Sequence, residues 1–357
     1  MSEGPDGGGI PGAGIDDDEF ESPGAFLGPS HVVPATAEGE LPVNALDVSG
    51  GWLVVLRLRT LYFALVPTLV ALLLLVLHGT QLSPVVAVAA VISVALVQLG
   101  ASLLDTYVEH ARFVRHHTEE WEDGDESGLR TLLLRSGVYP LDALRASILL
   151  LTLGAAAGIP LVVSGGATVA LLGIAGLLAA FLYSSTGHAL KRYPIGDLLI
   201  LLALGPGIVT TVMLAAHRAP SLSDLELALA LGFFALAPVE ALHLRDREYD
   251  RAHRRRTLVA LLGRRWGRAL YGFCILAGYL LIVVAAFPTG QPHGALLAFL
   301  GLPAAVIPLT GSWAAGPILA RAPVVGQAIR AYLVLGIWLV FGLLLSTIIL
   351  RLDLLPR

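Results

Sequence analysis

The sequence is short of charge, of cysteine and of lysine. Only 14% of its 357 residues are Asp, Glu, Lys or Arg, against about 25% in an ordinary soluble chain. That shortage excludes a water-soluble enzyme, a nucleic-acid-binding module and a disordered scaffold. Cys274 stands alone, so no intrachain disulfide can form. Lysine occurs once, at Lys191, and every other basic side chain is arginine. The first 50 residues lack Lys and Arg altogether yet hold ten acids. The other 307 residues hold 17 acids against 23 bases, a net of +6. The basic excess therefore belongs to the hydrophobic part, as expected of loops resting against anionic lipid.

What the chain has in abundance is apolar surface, with 56% hydrophobic residues and a mean hydropathy of +0.77. Residues 1–50 are rich in Gly, Pro and acid without a hydrophobic period, and read as a disordered acidic tail. Gly-rich 5–14 is no phosphate loop, because no strand precedes it and no Lys-Ser/Thr follows. No signal peptide is expected: the first long apolar run starts near Leu61, behind Arg57 and Arg59. Residues 51–357 form the second region, where nine apolar runs follow at about 60–78, 83–104, 141–163, 166–184, 195–216, 225–243, 269–287, 294–311 and 329–350. At 1.5 Å rise, each is long enough to cross a hydrocarbon core of about 30 Å. The reading is an all-α polytopic membrane bundle of about nine transmembrane helices. Turns are expected between the runs, including one at Ser164–Ala167.

Charge in the loops gives an orientation. The tail and the loops after the second, fourth, sixth and eighth runs collect twenty Lys and Arg, while the other side has Arg218, Arg351 and Arg357. The positive-inside rule places the tail in the cytoplasm and the C-terminus outside, as in a multi-pass protein of a bacterial inner membrane. Trp52, Trp121, Trp266 and Trp313 read as interfacial anchors. His110, His116 and His117, close to Glu119, Glu120 and Glu122, read as a solvated cytoplasmic loop.

The chemistry gathers at the cytoplasmic ends of the second and sixth runs. Each ends in two carboxylates four residues apart, Asp105 and Glu109 in one, Asp246 and Asp250 in the other. Residues at that spacing share a helix face. Two such oxygen pairs suit Mg²⁺, which keeps positions free for phosphate oxygens. Lys191, Arg192 and the run Arg254, Arg255, Arg256 lie on the same side, and arginine forks match phosphate oxygens two at a time. The pattern points to a metal-bound diphosphate whose apolar tail runs into the bundle. Glu240, inside the sixth run and about one turn before His243 and Asp246, is an intramembrane acid and hence a functional hint. A small-molecule transporter is the alternative from another class, although transporter sites lie near mid-bilayer.

These segments resemble the UbiA-type intramembrane aromatic prenyltransferases, nearest the branch that acts on 1,4-dihydroxy-2-naphthoate in menaquinone biosynthesis. Arg57-Leu-Arg-Thr-Leu61 with Pro67 is similar to the family's opening motif. Tyr183-Ser-Ser-Thr-Gly-His-Ala-Leu-Lys191, then Gly196-Asp197 and Gly205-Pro206, resembles a second block. Arg245-Asp246-x-Glu248-x-Asp250-Arg251, followed by Arg255-Arg256-Thr257-Leu258 and Gly263, resembles the last. The pattern departs at Ala101 and Leu242, where the family carries Asn, and at Glu109, where it carries Asp. The resemblance implies transfer of a polyprenyl group from its diphosphate to an aromatic acceptor inside the lipid bilayer, releasing pyrophosphate. It implies Mg²⁺ on Asp105, Glu109, Asp246 and Asp250, and diphosphate on Lys191, Arg192 and Arg255. Tyr183, with Tyr107 as a second candidate, would shield an allylic cation, and Asp197 would orient Lys191 or the acceptor. The lost asparagines keep open a non-catalytic member that binds lipid or quinone.

Overall fold

The structure is a computed structural model that describes residues 45–116, 132–184, 189–287, 293–313 and 323–352. All of them belong to the unit Val43–Arg357. Secondary structure among the described residues is helical throughout. Nine helical stretches there are long and apolar enough to cross a membrane: Gly50–Leu77, Pro84–Arg112, Pro140–Ala157, Ile159–Ser184, Pro194–Ala215, Leu222–Arg245, Leu258–Ala286, His293–Thr310 and Val324–Arg351. They are called the first to ninth spans below. The expected all-α bundle is present.

Two boundaries differ from the sequence reading. A helix covers Ala45–Val55, so the limit drawn at residue 50 falls inside a helix; the tail up to residue 44 lies outside the described residues. The third span ends at Ala157 and Gly158 separates it from the fourth, ahead of the turn expected at Ser164–Ala167. At that place the fourth span is only kinked, where Gly166 adopts φ 69°, a left-handed value that glycine tolerates without a Cβ clash.

Local chemistry sets several helix starts. Pro140 and Pro194 occupy first-turn positions, where the missing N–H has no intrahelical partner to lose. Ser221 and Asp224 form a capping box at the start of the sixth span. The Asp224 carboxylate also meets His78 Nε2 at 2.9 Å, which ties that start to the end of the first span.

The sixth span is the axis of the bundle. Its small residues Ala228, Ala230, Ala235, Ala237 and Ala241 are buried, and Phe234 packs edge-on to Tyr279 of the seventh span at 5.0 Å. The fifth span approaches so closely that a Cβ on Gly232 would stand 2.2 Å from the Leu201 carbonyl oxygen. The fifth span passes this contact through a π-helical turn, Ala203–Gly207, around Pro206; proline removes a ladder hydrogen bond and the backbone repacks locally. The outer helix faces expose large apolar side chains, among them Val85, Ile174, Leu276 and Ile337, as lipid contact requires and water does not favour.

Candidate functional site

Three local features build one end of the bundle. The helix of the second span continues unbroken to His116, so Asp105 and Glu109 sit one turn apart on the same helix. Between the fourth and fifth spans, Leu190–Arg192 forms a tight 3-10 turn folded back on the fifth span. A Cβ on Gly196 would lie 2.5 Å from the Leu190 carbonyl oxygen and 2.7 Å from Lys191 Cα, so only glycine lets the Lys191 backbone settle there. The sixth span stops at Arg245, and a short helix, Arg247–Ala252, follows. The expected continuous helix through the second pair is thus interrupted at Asp246, although the Asp250 N–H still donates to the Asp246 carbonyl at 2.8 Å. The Arg256 N–H donates to the Arg192 carbonyl at 2.8 Å, which joins the two basic loops.

Arg57, Asp105, Lys191, Glu109, Arg112, Arg255 and Asp250 form one connected chain of charges, with the Arg245–Asp246 pair beside it. Lys191 bonds to Asp105 and reaches Glu109 at 2.8 Å. Glu109 also receives Arg112 at 3.0 Å and Arg255 at 2.8 Å. Arg255 then approaches Asp250 at 3.6 Å, and the Thr257 hydroxyl donates to Asp250 at 3.3 Å. Asp105 further accepts from Ser184 at 2.8 Å and faces Arg57 at 3.7 Å. Asp246 holds Arg245 in a two-point contact at 2.6 and 3.0 Å. All four carboxylates border a single cavity of about 70 Å³, together with Tyr183, Lys191, His243, Arg245, Arg255 and Thr257.

Burial pushes the Asp250 carboxyl above its ordinary range, against the opposing charges of Arg255 and His243. Burial, and then the charges of Arg112 and Arg255, hold the Arg192 guanidinium below its usual value. An anion arriving at this end would relieve that crowding of cations. The donor set fits a hard dication, since carboxylate oxygens from two helices converge on one cavity. The same carboxylates now neutralise Lys191 and Arg255. Ligand entry therefore requires an exchange in which the cations turn to phosphate and release carboxylate oxygens.

The structure brings Asp105, Glu109, Asp246, Asp250, Lys191, Arg255 and Tyr183 together around that cavity. Arg192 is not among the lining residues, and neither is Tyr107. Asp197 does not meet Lys191, which is taken by Asp105 and Glu109; it lies instead beside Glu240 and His243. His110 is buried on the long second helix, not solvated as the loop reading held, because the helix runs past the apolar stretch. His117, Trp121 and the acids at 119, 120 and 122 lie outside the described residues. Trp266 is exposed and Trp52 partly so; only the backbone of Trp313 is described. Arg57, Arg112, Ser184 and Thr257 were not singled out as site residues. Arg57, Ser184 and Thr257 lie inside the segments that carry the family resemblance, whereas the signal for Arg112 was its position just past an apolar run.

Residues 64–315 match the model of the UbiA prenyltransferase family. No curated protein matches by sequence. Among solved structures, the chain resembles a UbiA homolog from Archaeoglobus fulgidus bound to GPP and Mg²⁺, with 14% identity and a TM-score of 0.60, over 83% of this chain and 99% of that one. The same homolog bound to DMAPP and Mg²⁺ gives 15% identity and a TM-score of 0.59, over 84% and 99% of the two chains. An apo UbiA homolog from Aeropyrum pernix K1 gives 17% identity and a TM-score of 0.57, over 80% and 96%. At these identities the likeness speaks for the fold.

Proposed function

The chain belongs to the UbiA prenyltransferase family, and from that premise we propose that it moves a polyprenyl group from its diphosphate to an aromatic acceptor within the membrane, releasing pyrophosphate. The observation that carries the reading is the meeting of two carboxylate pairs with Lys191 and Arg255 around one cavity. In this proposal Asp105, Glu109, Asp246 and Asp250 hold Mg²⁺; the Archaeoglobus homolog is solved bound to Mg²⁺ together with a prenyl diphosphate. The metal would neutralise charge that grows on the leaving diphosphate.

The protein's own residues account for the rest. Lys191 and Arg255 bind phosphate oxygens and stabilise the departing pyrophosphate more than the intact ester, which lowers the barrier to breaking the allylic C–O bond. Arg57, beside Asp105, adds a third cation on that side. Arg192, outside the cavity lining, acts at longer range on diphosphate entering the site. Tyr183 offers its ring at the cavity wall, where an aromatic face stabilises a cation. The apolar walls of the bundle exclude water that would quench the allylic cation. The acceptor we take is a dihydroxynaphthoate-type quinone precursor, on the resemblance of the motif segments to that branch. The orientation we take has the tail and this site in the cytoplasm, on the count of basic residues in the loops.

The test is an assay of membranes containing the protein with labelled polyprenyl diphosphate and candidate acceptors. Pyrophosphate release and a prenylated product are expected with Mg²⁺ and should stop on adding EDTA. Uptake of substrate with no turnover would instead support a transporter.

A further inference from the structure

Away from the diphosphate-type cavity, the bundle buries a second polar group. Asp197 comes from the first turn of the fifth span, and Glu240 and His243 lie three residues apart on the sixth. That spacing puts both side chains of Glu240-x-x-His243 on one helix face, an arrangement that helix bundles use for metal ions. Glu240 is fully buried, and Asp197 and His243 nearly so.

Four of their atoms are buried without a hydrogen-bond partner: Asp197 Oδ2, both Glu240 oxygens and His243 Nδ1. Such groups are expensive to bury alone. His243 Nδ1 stands 3.7 Å from Asp197 Oδ1 and 3.7 Å from Glu240 Oε2. That is beyond a hydrogen bond, yet it suits two atoms that share an ion at about 2.0–2.2 Å from each. One ligand atom from each residue falls within a 4.8 Å group.

We propose that Asp197, Glu240 and His243 form a binding site for one first-row transition-metal dication, distinct from the carboxylate pairs at the mouth. An imidazole nitrogen with two carboxylates selects Zn²⁺, Mn²⁺, Fe²⁺ or Co²⁺ over Mg²⁺, which prefers oxygen and keeps its waters. The ion neutralises two acids inside an apolar bundle and clamps the fifth span to the sixth. Three protein ligands leave a tetrahedral ion one open position, and His243, which borders the neighbouring cavity, sets that ion at the edge of it.

The experiment uses the purified full-length protein in detergent, loaded with Zn²⁺ and dialysed against excess Mg²⁺. About one Zn²⁺ per chain should remain by elemental mass spectrometry, both in the wild type and in the Asp246→Asn/Asp250→Asn variant. Glu240→Gln and His243→Gln should each weaken Zn²⁺ binding at least tenfold. Retention unchanged in both, or loss confined to the Asp246/Asp250 variant, would overturn the assignment. X-ray absorption at the zinc edge of the wild type guards against a misfolded variant: imidazole scattering is expected, and an oxygen-only shell contradicts the site. Neither readout depends on prenyl transfer, so this site and the proposed reaction can fail separately.

Discussion

Lys191→Met is expected to reduce the rate of prenyl transfer on the order of 10²–10³-fold while the protein remains folded. Lys191 is the cation held between Asp105 and Glu109, and it lines the cavity where the diphosphate would sit. Removing one preorganised donor to a developing anion typically costs a factor of that size. Arg192→Ala supplies the contrast. Arg192 neighbours Lys191 in sequence but does not line the cavity, so its removal should change the rate less than about tenfold, as expected of a charge that makes no direct contact with the leaving group. Steady-state rates with saturating prenyl diphosphate, beside thermal unfolding in detergent, would separate the two. Equal losses in both variants would mean that loop charge, and not a positioned ammonium, does the work.

Glu109→Gln should be the most damaging single change to stability. Its carboxylate, 5% exposed, accepts from Lys191, Arg112 and Arg255. With the charge gone, three cations remain in a nearly dry site, and breaking a buried pair from one side costs about 3–5 kcal/mol. Glu109→Asp bears on the departure from the family pattern directly. Aspartate is the residue the family carries, yet one methylene fewer withdraws the carboxylate from donors on two other loops. The expected outcome is lower stability and lower transfer than the wild type. A gain in transfer on Glu109→Asp would show that this site works through ordinary family geometry and that the long side chain is a handicap. Unfolding by detergent titration, with transfer measured on the same preparations, reads both.

Much of this was legible in the chain. Apolar runs of about 20 residues permit few structures in lipid, because every backbone group must be satisfied within the segment. Loop charge alone puts Asp105, Glu109, Asp246, Asp250, Lys191 and Arg255 at one end. Turns between spans were less legible: Gly158 and Gly166 are both glycines in apolar surroundings, and only packing decides which one separates two helices. The break at Asp246 was hidden for a related reason, since the i to i+4 spacing of Asp246 and Asp250 is the same across a kink as within a helix. Asp197 is assigned to Lys191 or the acceptor from its match to the family's acid after Gly196. Its neighbours Glu240 and His243 come from another span, and the contact depends on the close approach of Gly205 and Gly232, which no local pattern announces. Glu240 itself was flagged by cost alone, as an acid where lipid or protein must enclose it.

The central claim is that a divalent ion joins the two carboxylate pairs to a prenyl diphosphate. It is met most directly by titrating Mg²⁺ into the detergent-solubilised protein with an unreactive prenyl thiolodiphosphate and following binding by calorimetry. Affinity should rise with Mg²⁺ and be lost in the Asp246→Asn/Asp250→Asn variant. Binding of the same strength with Mg²⁺, with Mn²⁺ and with neither would contradict the account.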